Sequence, residues 1–301
     1  MELVSVIMPT YKRSNMLGRA IDSVLNQTYK NVEVIVIDDN NPDTEWRSIT
    51  EEKMQKYVGD DRVRYIKHEQ NKNGAAARNT GLHAAKGEII TFLDDDDYYR
   101  PDKIEKQVDY LHVNKNHHAV YCGWHRDGND FIPHGEGDLS FGILSGFNII
   151  ITNSIMMWRE DAITCGGWDE HLKRHQEAAF LLNYFRSNQT IGRLDEVLVD
   201  FDTSDRSNVS NPELNEEQID HLLKQYKDLI NKCEINHKGA AGIIYSSREL
   251  GVVLTYAKCG KYIKSILKFS NFWLDRPLTF SKVVMNYMMK RTSSNYKKQT
   301  R

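Results

Sequence analysis

The feature that most constrains this chain is a repeated change of hydrophobic period in its N-terminal third. Short continuous apolar runs alternate with segments whose apolar residues recur every three or four positions. The runs are VSVIM (4–8), VEVIVI (32–37) and EIITFL (88–93), and the more polar RVRYIKH (62–68) reads as a further strand. Runs of this kind, rich in β-branched residues, predict strands buried on both faces. Between them, Leu17, Ile21, Val24 and Leu25 share one helical face, with Ser14 or Asn15 as the expected cap. Residues 44–57 read as a polar helix and 74–85 as a helix of small residues. Strand, helix, strand, helix with short connections predicts an α/β fold, with a mostly parallel sheet flanked by helices.

Three of these strands end in chemistry. Tyr11 follows the first, Asp38 and Asp39 the second, and the block Asp94 to Asp97 the fourth. Open α/β sheets bind ligands outside the carboxyl ends of their strands, so these residues are expected along one edge. Four adjacent carboxylates repel one another, and a divalent cation would offset that repulsion. Hard oxygen donors suit Mg²⁺ or Mn²⁺, which take one or two carboxylates together with substrate phosphates. Alternation along an extended segment would turn Asp94 and Asp96 to one side, Asp95 and Asp97 to the other. Asp39 could accept a base N–H or a ribose hydroxyl, and Tyr11 could stack on a nucleobase. Arg78, in NGAAARNTG near a helix start, could hold a phosphate bidentately. Each feature has a plainer reading: an acidic turn, an Asx turn, a half-buried aromatic, a surface ion pair. Together they have the shape of a nucleotide site.

The middle of the chain is less regular, with strand-like AVYCGW, NSIMMW and VLVDF and a helix over 177–185. At Asn211–Pro212 the pattern becomes purely helical, with breaks expected near Gly239, Gly260 and Pro277. Net charge is −2, but residues 255–301 carry eight Lys, three Arg and one acid, so that segment is +10 and the rest −12. This asymmetry predicts a basic appendage. From 258 to 269, Lys258, Lys261, Lys264 and Lys268 share one side, while Tyr262, Ile263, Ile266 and Phe269 lie largely on another. Such a helix suits an anionic membrane surface; packing on the chain itself or on a second subunit is the other reading. The four cysteines form no CxxC pair, so neither a disulfide framework nor a zinc site is expected. No apolar run approaches the ~20 residues of a membrane span, and no secretion signal is expected. The acidic α/β half argues against nucleic acid as a partner.

The motifs VSVIMPTYKR, SVLNQTYKNVEVIVIDDNNPD, NKNGAAARNTGL, AAKGEIITFLDDDDYYRPDKI and CGGWDEHLKRHQEAAFLLNYF occur in that order. In this succession the chain resembles the family 2 inverting glycosyltransferases, whose fold is called GT-A and is Rossmann-like. The resemblance covers roughly residues 3 to 205. It implies a catalytic domain over 1–210, divided into a nucleotide-sugar and metal half (1–118) and an acceptor half (119–210). A basic helical extension, 211–301, would follow. It implies sugar transfer from a nucleotide diphosphate sugar, usually a UDP-sugar, to a hydroxyl of a glycan or lipid-linked acceptor, as in cell-surface polysaccharide or glycoconjugate synthesis. Pro9, Tyr11 and Arg13 match the family's nucleobase loop, Asp39 its uracil contact and Arg78 its arginine near the nucleotide. Asp94, Asp95 and Asp96 overlie the DXD motif. Asp96 would be the main ligand of Mn²⁺ or Mg²⁺, and Asp95 would contact ribose or metal-bound water.

In HQEAA, Gln176 and Glu177 overlie an ED or QD pair, so Glu177 is expected as the catalytic base, with Gln176 and Trp168 facing the acceptor. Two departures from the pattern are Glu at the usual Asp position and Ala178 where an aromatic is common. The expected chemistry is single displacement: Glu177 takes the acceptor proton while the departing diphosphate is stabilised by cation and arginine. Trp168 would stack on a sugar, and 202–211 would form a loop able to close over the nucleotide. The expected location is cytoplasmic, peripheral on the inner membrane face, with a homo-oligomer left open. The competing readings are a Mg²⁺-dependent nucleotidyltransferase and a non-catalytic nucleotide-sugar-binding module. The first normally opens on a Gly-rich phosphate loop, where this chain has PTYKRSN.

Overall fold

The computed structural model describes residues 1–203 and 211–292. Its elements begin β1 (Val4–Thr10), α1 (Ser14–Leu25), β2 (Val32–Asp38), α2 (Glu45–Met54), β3 (Val63–Lys67), α3 (Gly74–Ala84), β4 (Ile89–Phe92) and β5 (Tyr98–Tyr99). They continue with α4 (Lys103–Val113), β6 (Ala119–Arg126), β7 (Asn129–Phe131), α5 (Ser140–Ser145), β8 (Ile155–Trp158), α6 (Arg159–Thr164), α7 (Gln176–Arg186) and β9 (Ile191–Asp200). The remainder is helical: α8 (Pro212–Gln225), α9 (Lys227–Asn236), α10 (Ala240–Lys258), α11 (Tyr262–Asp275) and α12 (Pro277–Thr292).

Two compact units emerge. One comprises Met1–Asp138 with Ile150–Thr203; the other Leu139–Ile149 with Ser204–Arg301. The first holds one sheet in the order β3-β2-β1-β4-β8-β6-β9-β5, with β7 beside β6. From β3 to β4 every pairing is parallel, as the apolar runs predict. Beyond β4 the sheet becomes mixed: β8 runs antiparallel to both β4 and β6, and β6 pairs parallel with β9. All seven residues of β2 are buried, which accounts for a run with no polar alternation.

Two local devices fix α3, the helix that carries Arg78. Asn73 sits at φ 108° and its side chain accepts from the backbone N–H groups of Ala75 and Ala76, capping the helix. One turn beyond Arg78, a Cβ on Gly81 would lie 2.4 Å from Ile7 Cγ2 and 2.8 Å from Ile37 Cδ1. Only glycine lets the helix lie this close to β1 and β2. Elsewhere the sequence reading needs correction. Helix α1 starts at Ser14 itself, with Arg13 in the cap position and no side-chain cap bond. An extra break at Tyr226 separates α8 from α9.

The helical unit packs around Leu250, Phe280 and Val283. Asn211 caps α8 by accepting from Leu214 N–H at 3.0 Å, with Pro212 in the first turn. The segment Leu139–Ile149 joins this unit through Arg248, whose Nε donates to the Leu144 carbonyl at 2.7 Å and Nη2 to the Ile143 carbonyl. These carbonyls lie in the last turn of α5, where the Ile143 carbonyl also accepts from Gly146 N–H at 3.1 Å, so a side chain of α10 helps cap it.

Candidate active site

The ends of β1, β2 and β4 lie together, because β1 pairs with both neighbours in parallel. The four aspartates do not continue a strand. Asp97 N–H donates to the Asp94 carbonyl at 3.2 Å, closing a turn. Burial alternates all the same: Asp95 and Asp97 are buried, Asp94 and Asp96 half-exposed. The separation expected from a pleat is achieved by a turn.

Each carboxylate has its own partner from a distant part of the chain. Arg78 Nη2 donates to Asp94 Oδ1 at 2.6 Å, Thr10 Oγ1 to Asp95 Oδ2 at 2.6 Å, and Arg13 Nη1 to Asp96 Oδ2 at 2.5 Å. Asn153 Nδ2 donates to Asp97, whose other oxygen accepts from the Asp202 backbone at 2.7 Å. Burial pushes Asp95 up to about 8 and Asp97 up to about 9, with the neighbouring aspartate charges adding to it. Burial also raises Asp96, reinforced by Asp94 and opposed by Arg13. The block thus holds two buried acids driven toward neutrality beneath two half-exposed carboxylates paired with arginines.

Pro9, Tyr11 and Arg13 occupy the end of β1 and the turn after it, with the Tyr11 side chain exposed. Lys12 N–H donates to Asn40 Oδ1 at 3.0 Å, tying that turn to the end of β2. Asp39 is buried to 2% exposure. Its Oδ1 meets His68 Nδ1 at 2.8 Å and Lys72 N–H at 2.8 Å; its Oδ2 accepts from Asn71 Nδ2 at 2.7 Å and Asn73 N–H at 3.0 Å. Four partners fill a carboxylate's usual capacity, so Asp39 braces the 71–73 loop that leads into α3.

Arg78 is the hub. Besides Asp94, its Nη1 reaches Gln176 Oε1 at 3.3 Å, and its guanidinium lies 4.9 Å from the Trp168 ring centre. Glu177, half-buried in the first turn of α7, feels the charges of both Arg78 and Asp94. Burial raises its carboxyl above the ordinary value, against the pull of its own backbone N–H and of Arg78. Trp168 is a correction. It is 2% exposed and stacked on Phe180 with centroids 4.5 Å apart, and Phe92 meets it edge-on at 5.0 Å. No face remains for a sugar; the ring is a platform under Arg78.

Sequence reasoning missed Thr10, Asn153, His68 and Arg19, whose guanidinium donates to the Asp96 carbonyl at 2.5 Å and to Asp202 Oδ2 at 2.9 Å. Asn153, in ITNS, was legible only as part of a strand. Of the loop expected over 202–211, residues 204–210 lie outside those described. Among the described residues, no three His, Cys, Asp or Glu side chains form a metal cage. Two half-exposed carboxylates on one turn are nevertheless the donor set that Mg²⁺ or Mn²⁺ takes alongside a diphosphate, so the residues fit such an ion.

Comparison with known proteins bears on the fold and the family. The chain is 16% identical to a crystal structure of S. aureus TarS 1-349 in complex with UDP-GlcNAc (TM-score 0.60), covering 91% of this chain and 92% of that one. It is 16% identical to the mannosyltransferase PcManGT from Pyrobaculum calidifontis in complex with GDP-Man and Mn²⁺ (TM-score 0.63), covering 98% and 82%. These likenesses establish the fold as GT-A. Among curated proteins it is 40% identical over 115 residues to the Escherichia coli protein named UDP-Glc:alpha-D-GlcNAc-diphosphoundecaprenol beta-1,3-glucosyltransferase WfaP, covering 38% of this chain and 43% of that one. It is 36% identical over 137 residues to the putative colanic acid biosynthesis glycosyl transferase WcaA of Escherichia coli K12, covering 44% of each. The chain spans less than half the length of these curated relatives. Residues 5–162, more than half of the chain, match the family described as Glycosyl transferase family 2, and the chain belongs to that family of glycosyltransferases.

Proposed function

We propose that the chain transfers a sugar from a UDP-sugar to a hydroxyl of a lipid-linked glycan, with inversion at the anomeric carbon and Glu177 as general base. The observation that carries this reading is the convergence on Arg78: Asp94 at 2.6 Å, Gln176 at 3.3 Å, and the raised carboxyl of Glu177 within range of its charge. Residues from α3, the turn after β4, and α7 thereby supply a cationic hub, a carboxylate turn and a base.

The donor's nucleotide would lie across the ends of β1 and β2, with Tyr11 against the base and Pro9 and Arg13 beside it. Asp39 serves that site by holding the 71–73 loop, and Asp95 by bracing the end of β1 through Thr10. Arg13 and Arg78 offer the positive charge that a diphosphate requires. Asp96, with Asp94, would hold Mn²⁺ or Mg²⁺, and such an ion supplies charge neutralisation to the departing diphosphate. Glu177 then accepts the proton of the attacking hydroxyl; its raised carboxyl is a stronger base than an exposed one. Gln176, held by Arg78 and by its Nε2 bond to the Leu172 carbonyl at 2.7 Å, borders the acceptor side. The names of relatives support the choice of substrates: WfaP's names a UDP-glucose donor and a diphosphoundecaprenol acceptor, and WcaA's names colanic acid biosynthesis. We also propose that catalysis is confined to residues 1–210, with 211–301 as an accessory region.

The test is UDP release from a panel of UDP-sugars with Mn²⁺ or Mg²⁺ and lipid-linked acceptors. Glu177→Gln and Asp96→Ala are each expected to lose about 10²–10⁴-fold in turnover while thermal unfolding stays cooperative. Near-normal turnover in either variant would overturn its assignment. A chain that binds UDP-sugar but never turns over would be a binding module.

A further inference from the structure

Helix α11 packs through Phe269 and Phe272, which meet the Phe280 ring of α12 at 5.3 and 6.3 Å between centres. Its lysines lie along a partly exposed flank: Lys261, just before the helix, and Lys264 reach Glu213 at 2.6 and 2.9 Å, and Lys268 pairs with Glu216, both acids on α8 of the same unit. Ser265 is its buried residue, donating to the Val253 carbonyl at 2.9 Å. The face turned farthest outward is apolar. Ile263, Ile266, Leu267 and Leu274 are 77%, 65%, 59% and 69% exposed, and helical spacing places them on one face. Helix α12 continues this with Leu278 and Met285, 80% and 55% exposed. Trp273 Nε1 donates to Ser281 Oγ at 3.0 Å, so the two outward faces adjoin.

Eleven of the nineteen exposed large hydrophobic side chains among the described residues fall between Tyr262 and Met289. Such concentration marks a binding surface, since soluble surfaces scatter these residues singly. Charge selects the occupant. Residues 255–301 carry a net +10, so a second copy seated on the same face would bring two strongly basic segments together. An anionic lipid surface has the complementary charge. Tyr262 and Trp273, 67% and 44% exposed, are the residue types that settle at a membrane interface. No helix among the described residues is long and apolar enough to cross a membrane, so the contact is lateral.

We infer that the outward faces of α11 and α12 insert their aliphatic side chains into an anionic bilayer surface, with apolar burial rather than the α11 lysines leading the contact. Lys261, Lys264 and Lys268 lie on the flank of that face, paired with Glu213 and Glu216 of α8. The inference goes beyond the proposed reaction and does not depend on it.

The experiment is co-sedimentation of the full chain with phosphatidylcholine–phosphatidylglycerol vesicles. The variants are Ile266→Glu with Leu274→Glu, and Leu278→Glu with Met285→Glu; circular dichroism and thermal unfolding report on their folding. Ile235→Glu is the control, because Ile235 is 83% exposed but lies on α9. Each double variant is expected to lose about tenfold or more in partitioning, the control to match wild type, and binding to persist in part at high salt. Failure of the wild type to sediment, equal partitioning of folded variants, or abolition of binding by salt alone would overturn it. So would a wild-type dimer in solution that the variants convert to monomer.

Discussion

Arg78→Lys is the most informative single change in the site. It keeps the charge and a similar reach, but a lysine has no planar fork. In the native arrangement Nη2 holds Asp94 at 2.6 Å while Nη1 reaches Gln176 at 3.3 Å, and the guanidinium plane rests on Trp168. An ammonium can keep the stronger bond, to Asp94, but loses the bond to Gln176 and the flat stacking on the ring. The lost hydrogen bond is worth about 1 kcal/mol. The desolvated contact with the ring, at a side chain only 10% exposed, is worth about 1–2 kcal/mol. Together these hold the hub by roughly 2–3 kcal/mol, and a loss of up to about 30- to 150-fold in kcat/KM is expected, the upper bound reached when all of that ordering is needed at the transition state, because each 1.4 kcal/mol is about a factor of ten. The assay is UDP release with the active donor, beside calorimetric titration of UDP and thermal unfolding of the same preparation. Arg78→Met is expected to fall further, because it leaves Asp94 and Glu177 facing each other uncompensated. An Arg78→Lys enzyme within threefold of wild type would refute the hub. So would an activity loss fully explained by a smaller folded fraction.

Two further outcomes follow from buried groups. Asp39→Asn replaces an acceptor-only group by an amide facing the donors of Asn71, Lys72 and Asn73; stability is expected to fall by about 2–3 kcal/mol, with faster hydrogen exchange across 69–73. Unaltered exchange there would count against the bracing role. Lys103 is fully buried between Thr91 and Gln107, and burial lowers its ammonium from 10.5 to about 8. Between those values the folded chain holds fewer protons than the unfolded chain, so the penalty is complete below pH 8 and is relieved as pH rises to 10.5. The stability of wild type relative to Lys103→Met is therefore expected to rise across that window, by at most about 1.4 kcal/mol per pH unit. A flat difference would show that Lys103 does not titrate there. Asp97, which titrates in the opposite sense, cancels in the comparison.

The strands were legible because burial on both faces leaves a mark that does not depend on partners: VEVIVI is apolar throughout apart from Glu33, and it became a strand with every residue buried. The position of the aspartate block was legible because a strand tip is a fixed address in an α/β sheet, and the helix that carries Arg78 was legible from its small residues. What could not be read was which partner each polar group takes. Arg13 and Asp96 are 83 residues apart, Thr10 and Asp95 85, and no local pattern encodes such pairs. Trp168 was expected against a sugar because CGGWDEH matches a motif of the family's acceptor half; the rings that cover it, Phe92 and Phe180, come from other elements. Helical periodicity divided α11 into an apolar and a basic face but carried no information on which face turns inward. That choice belongs to Phe280, which Phe269 and Phe272 meet, with Glu213 and Glu216, about fifty residues earlier, pairing the lysines on the flank.

The helical unit is not a simple tail. It claims Leu139–Ile149 from the middle of the chain, and Arg248 caps the carbonyls of that segment. Recombination between relatives at a crossover near residue 210 would therefore pair one parent's α5 with another parent's α10, unless both carry an arginine and a compatible segment. The natural cassette for exchange is two pieces, 139–149 and the C-terminal helices, inherited together; a laboratory chimera should move both.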